Sequence, residues 1–362
     1  MVDNYKQWHE KLPFALLRYR TTVRTSTVAT PYLLVYGTEV VIPAEVEIPS
    51  LRIIQEAELS DAEWIRSRLR VAKMEYYKLN VFLAIAAFLF LFPVVHGWGL
   101  DGHYTVCKIA QSRLSQAAAD AVEKLLPESA NGDLASVCIW ADHVKFRYRW
   151  SSALHYIDTP DNLCTYQYNR DCKDENEVPD RCVAGAINNY TDQLLSYNSA
   201  NENAITYNLT ESLLFLSHFM GDIHQPLHVG FTSDRGANTI DVHWYTRKTV
   251  LHHVWDSNII ETAEERYDDS NVDELVDALQ KNISTGWADQ VKSWESCSGN
   301  KKACPDIYAT EGIKAACAWA YKGVSEGSTL EDDYFLTRFP IVQQRLAQGG
   351  VRLAATLNRI FT

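Results

Sequence analysis

One stretch divides this chain in two. Residues 81–95, VFLAIAAFLFLFPVV, run for 15 positions without a charge, and everything able to staple a fold lies beyond them. All eight cysteines fall between Cys107 and Cys317, with none in the first 106 residues. The run is short for a membrane span, which needs about 20 apolar residues, but it suits a signal-peptide core. Lys78 gives a positive flank, Pro93 breaks the helix, and Val95 and Gly97 are small residues before a cut at Trp98. The expectation is a start at Met74, a signal over 74–97 and a folded unit over 98–362; the alternative is a retained anchor. An even cysteine number beyond such a run points to an oxidising compartment and up to four disulfides. Eight reduced core thiols are the competing reading.

Export has further support. Asn189-Tyr190-Thr191, Asn208-Leu209-Thr210 and Asn282-Ile283-Ser284 are glycosylation acceptors, all on the cysteine-bearing side. The expected location is the secretory pathway, then extracellular, vacuolar or ER-derived compartments. Charge divides at the same place. Residues 1–73 carry 10 basic and 9 acidic side chains, and residues 98–362 carry 23 and 36, so the net charge of -12 belongs to the second part. That balance argues against gripping nucleic acid by bulk electrostatics.

Beyond Trp98 the pattern is mostly helical. HYTVCKIAQSRLSQAAADAVEKLL, AITYNLTESLLFLSHFM, DELVDALQKNI and RLAQGGVRLAATLNRIF keep apolar residues near helical spacing. NTIDVHWY, residues 238–245, alternates like a strand after the turn-like SDRGAN. Without repeats or a low-complexity linker, the reading is mainly α, a single helical domain with a small β-hairpin.

The chemistry lies in the histidines, nine of which fall between His103 and His253. In SHFMGDIHQPLH, His218 and Asp222 are four apart, so they share one helix face, and His228 follows past Gln225-Pro226, where the helix should end. In HHVWD, His252 and Asp256 repeat the pairing; Asp142 and His155 lie upstream. Imidazole and carboxylate are zinc ligands of choice when thiolates are locked in disulfides, and the number present exceeds one ion's needs. Polar pairs on helix faces, without metal, are the bland alternative. Cleavage before Trp98 would free an amine of pKa about 8 that chelates a cation together with its own carbonyl, and His103 could close that site.

Assembled, the blocks WGLDGH, WADHVK, LHYIDTP, SHFMGDIHQPLHVG, GANTIDVHWY and LHHVWD resemble the plant bifunctional nucleases, type I zinc-dependent enzymes that prefer single strands. The resemblance runs from Met74 to Thr362. It implies a helical fold shared with zinc phospholipase C and three zinc ions in one cleft. The first would be held by Asp142, His155, His218 and Asp222; the second by the Trp98 amine and carbonyl, His103 and Asp222; the third by His228, His252 and Asp256. It further implies a water activated between the first two ions, with Asp142, Asp222 and Lys145 as catalytic residues and Lys145 on the phosphate. Tyr156 would stack on a base that Asp158 hydrogen-bonds, although an ordinary packed aromatic is the plainer reading of Tyr156. Asn238 would lie by the scissile group. His143, His224, His243 and His253 are not expected to be ligands.

The implied partners are single-stranded DNA and RNA and 3′-nucleotides, the implied products are 5′-phosphates, and the implied state is a monomer with no stable membrane association after cleavage. The implied disulfides are Cys107–Cys138, Cys164–Cys317, Cys172–Cys182 and Cys297–Cys304. One departure stands out: a Gly-Gly-Asn block reads Gly236-Ala237-Asn238 here, which would lower activity if the second glycine needs positive φ. Upstream, WHEKLPFALLRYRTTVRTSTVATPYLLVYGTE resembles the tail of a retrotransposon integrase polyprotein. Residues 1–73 are therefore read as a retrotransposon-like segment joined to the domain by a gene-model fusion, without chemistry of its own. The rival functions are a phospholipase C-like phosphodiesterase and an inactive membrane-anchored fusion.

Overall fold

The structure, a computed structural model, describes residues 98–198 and 207–362. The expected upstream segment 1–73 and signal 74–97 lie outside the described residues. Among the described residues, nine helices of eight residues or more build the fold: α1 Leu100–Gln111, α2 Gln116–Leu125, α3 Val183–Leu194, α4 Leu209–Asp222, α5 Ile259–Tyr267, α6 Val272–Ser284, α7 Ala288–Glu295, α8 Pro305–Ala315 and α9 Asp332–Ile360. Among the described residues no helix is long and apolar enough to cross a membrane.

Helix α4 sits at the centre. Asn208 caps it by accepting the Glu211 N–H at 3.3 Å, and every residue from Ser212 to Asp222 is buried. A helix apolar on all sides has to be surrounded; α1, α3 and α9 do this. The tightest contact is α9 on α1. A Cβ on Gly350 would stand 2.5 Å from Ile109 Cβ and 3.0 Å from the Val106 carbonyl, so only glycine lets the two backbones meet there.

The helical pattern from His103 to Leu126 is broken at Ser112–Ser115, where Ser115 caps α2 through the Ala118 N–H. The strand expected over 238–245 pairs only as β1, Asp241–Trp244, antiparallel to β2, Arg247–Val250. Gly236 and Ala237, both at positive φ, turn the chain ahead of it. A two-residue strand, β3 Thr329–Leu330, adds to the hairpin in parallel and gives a three-stranded sheet ordered β2-β1-β3. The cysteines pair as Cys107–Cys138, Cys164–Cys317, Cys172–Cys182 and Cys297–Cys304, and none is free.

Candidate metal centre

The candidate ligands arrive on irregular as much as on regular elements. His103 is in the first turn of α1, Asp142 in the short helix Trp140–Val144, and His155 ends the 3-10 stretch Arg149–His155. His218 and Asp222 stand one turn apart at the C-terminal end of α4. His228 lies in the 3-10 turn Pro226–Val229, which begins once Pro226 has barred continuation of α4. His252 and Asp256 lie on Leu251–His253 and the π turn Val254–Asn258 that follows it. A π turn inside a helical stretch is characteristic of functional sites.

These side chains converge. His218 Nε2 is 3.2 Å from Asp222 Oδ2 and 3.6 Å from Asp142 Oδ1. His155 Nδ1 is 2.9 Å from Asp222 Oδ2 and 3.1 Å from His218 Nε2. His103 stacks on His218 with ring centroids 3.9 Å apart and faces Asp222 Oδ1 at 3.3 Å. A second group stands alongside: His252 Nε2 is 3.2 Å from Asp256 Oδ2, and His228 Nε2 is 4.0 Å from Asp256 Oδ1. Three sets satisfy the spacing needed for one ion, namely His103/Asp142/His218, His155/His218/Asp222 and His228/His252/Asp256. The first two overlap at His218, so they form one continuous centre.

The surroundings orient these rings as ligands. The Nδ1 of His218 lies 2.9 Å from the Cys138 carbonyl, that of His228 2.6 Å from the His155 carbonyl, and that of His252 2.5 Å from the Gly236 carbonyl. A carbonyl can only accept, so each Nδ1 carries a proton, and in the neutral ring the Nε2 lone pair is left to face the centre. Because Cys138 is tied to Cys107 in α1, that disulfide also fixes the carbonyl that orients His218. His224 differs: its Nδ1 donates to the Met220 carbonyl at 2.7 Å and its Nε2 accepts from Arg352 at 3.0 Å, so no lone pair remains for a metal. His143 and His253 are exposed, and His243 is on β1.

Electrostatics argue for cations. Burial would raise the Asp142 carboxyl, but His218, Lys145 and His155 outweigh it and hold it below the ordinary carboxylate range. Asp222 behaves likewise under His218, His103 and His155, so both stay ionised. Burial depresses His103 and His155 to about 4, which leaves them neutral and able to coordinate. Asp256 is held well above the usual range, chiefly by burial, against a 2.6 Å hydrogen bond from Gln225. Asp142 Oδ2 and His103 Nδ1 are buried without a hydrogen-bond partner. Sealed carboxylates and unpaired imidazoles are costly, and divalent cations would remove the deficit. The donors are all nitrogen and oxygen, which suits zinc.

Trp98 is fully buried at the edge of the centre. A Cβ on Gly102 would meet its Cβ at 2.7 Å, and the Gly99 N–H donates to the Asp256 carbonyl at 2.8 Å. Lys145 is buried with Nζ 2.6 Å from Asp142 Oδ1. The segment after His155 runs beside Pro226–Val229: Ile157 N–H donates to the His228 carbonyl at 2.8 Å, and Thr159 N–H to that of Gly230 at 2.9 Å. Along it His155, Ile157 and Thr159 are buried while Tyr156 and Asp158 are partly exposed, as extended backbone dictates. Burial lifts the Asp158 carboxyl to about 6. Asn238 lines a cleft of about 830 Å³ with His143, His252 and Asp256, and its side chain donates to the Arg235 carbonyl.

Ala237 has φ 68° and is fully buried. A left-handed backbone costs an L-residue about 1–2 kcal/mol, offset in part by the buried methyl, worth about 0.8 kcal/mol. The strain lies beside the centre, since the Ala237 carbonyl accepts the His252 N–H. Two contributors carry no sequence signal. Gln225 holds Asp256 with its amide N–H and the Leu227 N–H with its oxygen. Gly221 leaves the space that the His103 ring fills.

A family model for the S1/P1 nucleases matches residues 98–362. The chain belongs to the S1/P1 nuclease family. It is therefore an enzyme, a hydrolase among nucleases, and its His/Asp sets fit the metal sites of a zinc-dependent family. It is 70% identical to Endonuclease 2 of Arabidopsis thaliana over 75% of this chain and 93% of that protein. It is 56% identical to Endonuclease 4 of the same plant over 76% and 94%. Nuclease S1 of Aspergillus oryzae matches at 33% identity over 76% and 96%.

Proposed function

We propose that this protein is a secreted, three-zinc endonuclease that hydrolyses single-stranded DNA and RNA to 5′-phosphate products and removes phosphate from 3′-nucleotides. The observation that carries this reading is the packing of three buried His/Asp sets against one another: the first two share His218, and His228 of the third lies 3.8 Å from Asp222. Asp142, His155, His218 and Asp222 would hold one ion; His103, Asp222 and the main chain of a freed Trp98 a second; His228, His252 and Asp256 a third. Bound zinc supplies Lewis acidity, polarising phosphoryl oxygen and lowering the pKa of water from 15.7 to about 7.

The chain's own groups do the rest. Asp222 reaches toward both neighbouring sets and keeps their donors in register. Lys145 offers Nζ–H donors to a phosphate at the same edge, and Asn238 orients the ester from across the cleft. Tyr156 and Asp158 lie on the outward side of their segment, where a splayed base can stack on the phenol ring and bond to the carboxyl. A base reaches that position only from an unpaired strand, so single-strand preference needs no sequence readout. This outward pair also favours nucleic acid over a phospholipid. Residues 74–97 would act as the export signal, removed before Trp98. The mature chain would then be a monomer, free of the membrane and glycosylated at Asn189, Asn208 and Asn282.

The test is Tyr156→Ala assayed on single-stranded DNA and on a simple aryl phosphodiester. Loss of a base stack should lower kcat/KM on DNA by about 5- to 150-fold and leave the aryl ester nearly unchanged. Equal losses on both would remove the base-binding role and revive the phospholipase-like reading.

A further inference from the structure

We propose that Lys145–Trp150 is a docking ridge for the part of the single strand that lies outside the metal cleft. This rests on the nuclease reading and says where the rest of the substrate goes. The hexapeptide is KFRYRW, and no aspartate or glutamate occurs between Asp142 and Asp158. In a domain where acids outnumber bases, that is a local reversal of charge.

Phe146 is 77% exposed and Trp150 47% exposed. Trp150 is held on a pedestal: its ring stacks on Tyr148 with centroids 5.7 Å apart and lies 5.7 Å from Phe215 of α4. Tyr148 is itself fixed by a hydrogen bond to Glu211, and the Trp150 carbonyl accepts from Arg181 at 2.8 Å. Arg147 and Arg149 are exposed, and among the described residues their guanidinium groups have no hydrogen bond or salt bridge. Exposed aromatics occurring singly need no explanation. Alternation of two exposed rings with two unpaired guanidinium groups on a rigid support does need one.

Position supplies the link to the reaction. The segment begins after Asp142 and returns at His155, whose Nδ1 is 3.6 Å from Asp142 Oδ1. At about 3.6 Å of reach per residue, Phe146 lies within about 14 Å of Asp142 and Trp150 within about 18 Å of His155. The ridge is thus anchored at both ends in the metal centre and lies within a few nucleotides of it. Rings that stack on any base, with cations that meet successive phosphates, are how proteins hold single strands without reading sequence. The unpaired charge makes a polyanion, rather than an apolar protein surface, the fitting occupant.

The test compares the zinc-loaded mature protein beginning at Trp98 with its Arg147→Gln/Arg149→Gln and Phe146→Ala variants on a long unstructured oligonucleotide and on a dinucleotide. All altered side chains are exposed, so melting temperatures should match the parent's. For the oligonucleotide, KM should rise about fivefold or more in each variant. In the double arginine variant the slope of log affinity against log salt should flatten by about 1.4, the share of two phosphate contacts. Dinucleotide kcat and KM should not change. Equal changes on both substrates, or none on the oligonucleotide while the parent cleaves both, overturn the ridge alone. A parent that cleaves neither substrate overturns the nuclease reading as well.

Discussion

Gly221 is the residue whose replacement most directly probes how the fold builds its centre. A Cβ there would stand 2.7 Å from His103 Nδ1 and 3.0 Å from its Cε1. Neither partner can retreat. Gly221 lies on the enclosed helix α4, and the His103 ring is fully buried against His218. Overpacking of this kind costs about 1–3 kcal/mol, while replacing a glycine in the last turn of a helix by alanine returns less than the about 1 kcal/mol of a helix interior. The net change in stability is therefore about 0–3 kcal/mol, or at most about 12 °C in Tm for a domain of this size. The effect on metal should be larger, because disturbing the surroundings that orient a ligand typically costs 10- to 100-fold in metal affinity. Gly221→Ala should thus lose one metal equivalent on dialysis against a weak chelator while remaining folded by circular dichroism. Gly286→Ala, whose Cβ would meet nothing closer than the Asn282 carbonyl at 3.9 Å, is the control and should keep its full complement. A Gly221→Ala protein with parental metal content would refute the packing argument.

Other expectations concern charge. Asp222→Asn should cost more activity than replacement of any single ligand histidine, because Asp222 faces His103, His155 and His218 together; matched kinetics across these variants check it. Glu311 binds the buried guanidinium groups of Arg345 and Arg352 at 2.8 and 2.6 Å. Glu311→Gln should cost about 2–3 kcal/mol, less than the 3–5 kcal/mol of a fully buried pair, because the Glu311 side chain is 36% exposed. Denaturant titration reads that difference. Glu264 is raised from 4.5 to about 7, first by burial and then by Asp101, Asp268 and Glu261. Its folded state binds the extra proton between those values, so this residue's contribution to stability falls as pH rises through that window. Glu264→Gln should therefore raise Tm relative to the parent at pH 8 and leave it unchanged near pH 4.

How far the sequence discloses this molecule depends on the element. The apolar spacing of AITYNLTESLLFLSHFM announces α4 as a helix, though not that it is enclosed on every side from Ser212 to Asp222, and the four-residue spacing places His218 and Asp222 on one face. The Ser115 cap that divides α1 from α2 lies inside HYTVCKIAQSRLSQAAADAVEKLL, whose apolar spacing runs on across the break. By contrast, β3 is two residues long and pairs with β1 across more than eighty positions; no local pattern encodes such a partner. His155 and His228 sit on 3-10 turns, where periodicity is silent, whereas the four-residue spacing of His252 and Asp256 carries across a π turn. The overlap of two ligand sets at His218, the space left by Gly221 and the grip of Gln225 on Asp256 are properties of close approach between distant segments. Ala237 is the instructive intermediate case: a single alanine in a glycine block pointed to positive φ, and the backbone there has φ 68°.

The central claim is that three His/Asp sets form one trinuclear zinc centre completed by a freed Trp98. The most direct measurement is an anomalous difference map at the zinc edge from crystals of the mature protein secreted by plant cells. The account predicts three peaks, at His103 with Trp98 and Asp222, at Asp142/His155/His218/Asp222 and at His228/His252/Asp256, with the chain beginning at Trp98. Fewer than three peaks in a fully active enzyme, or a chain that continues upstream of Trp98 with all three present, would contradict it.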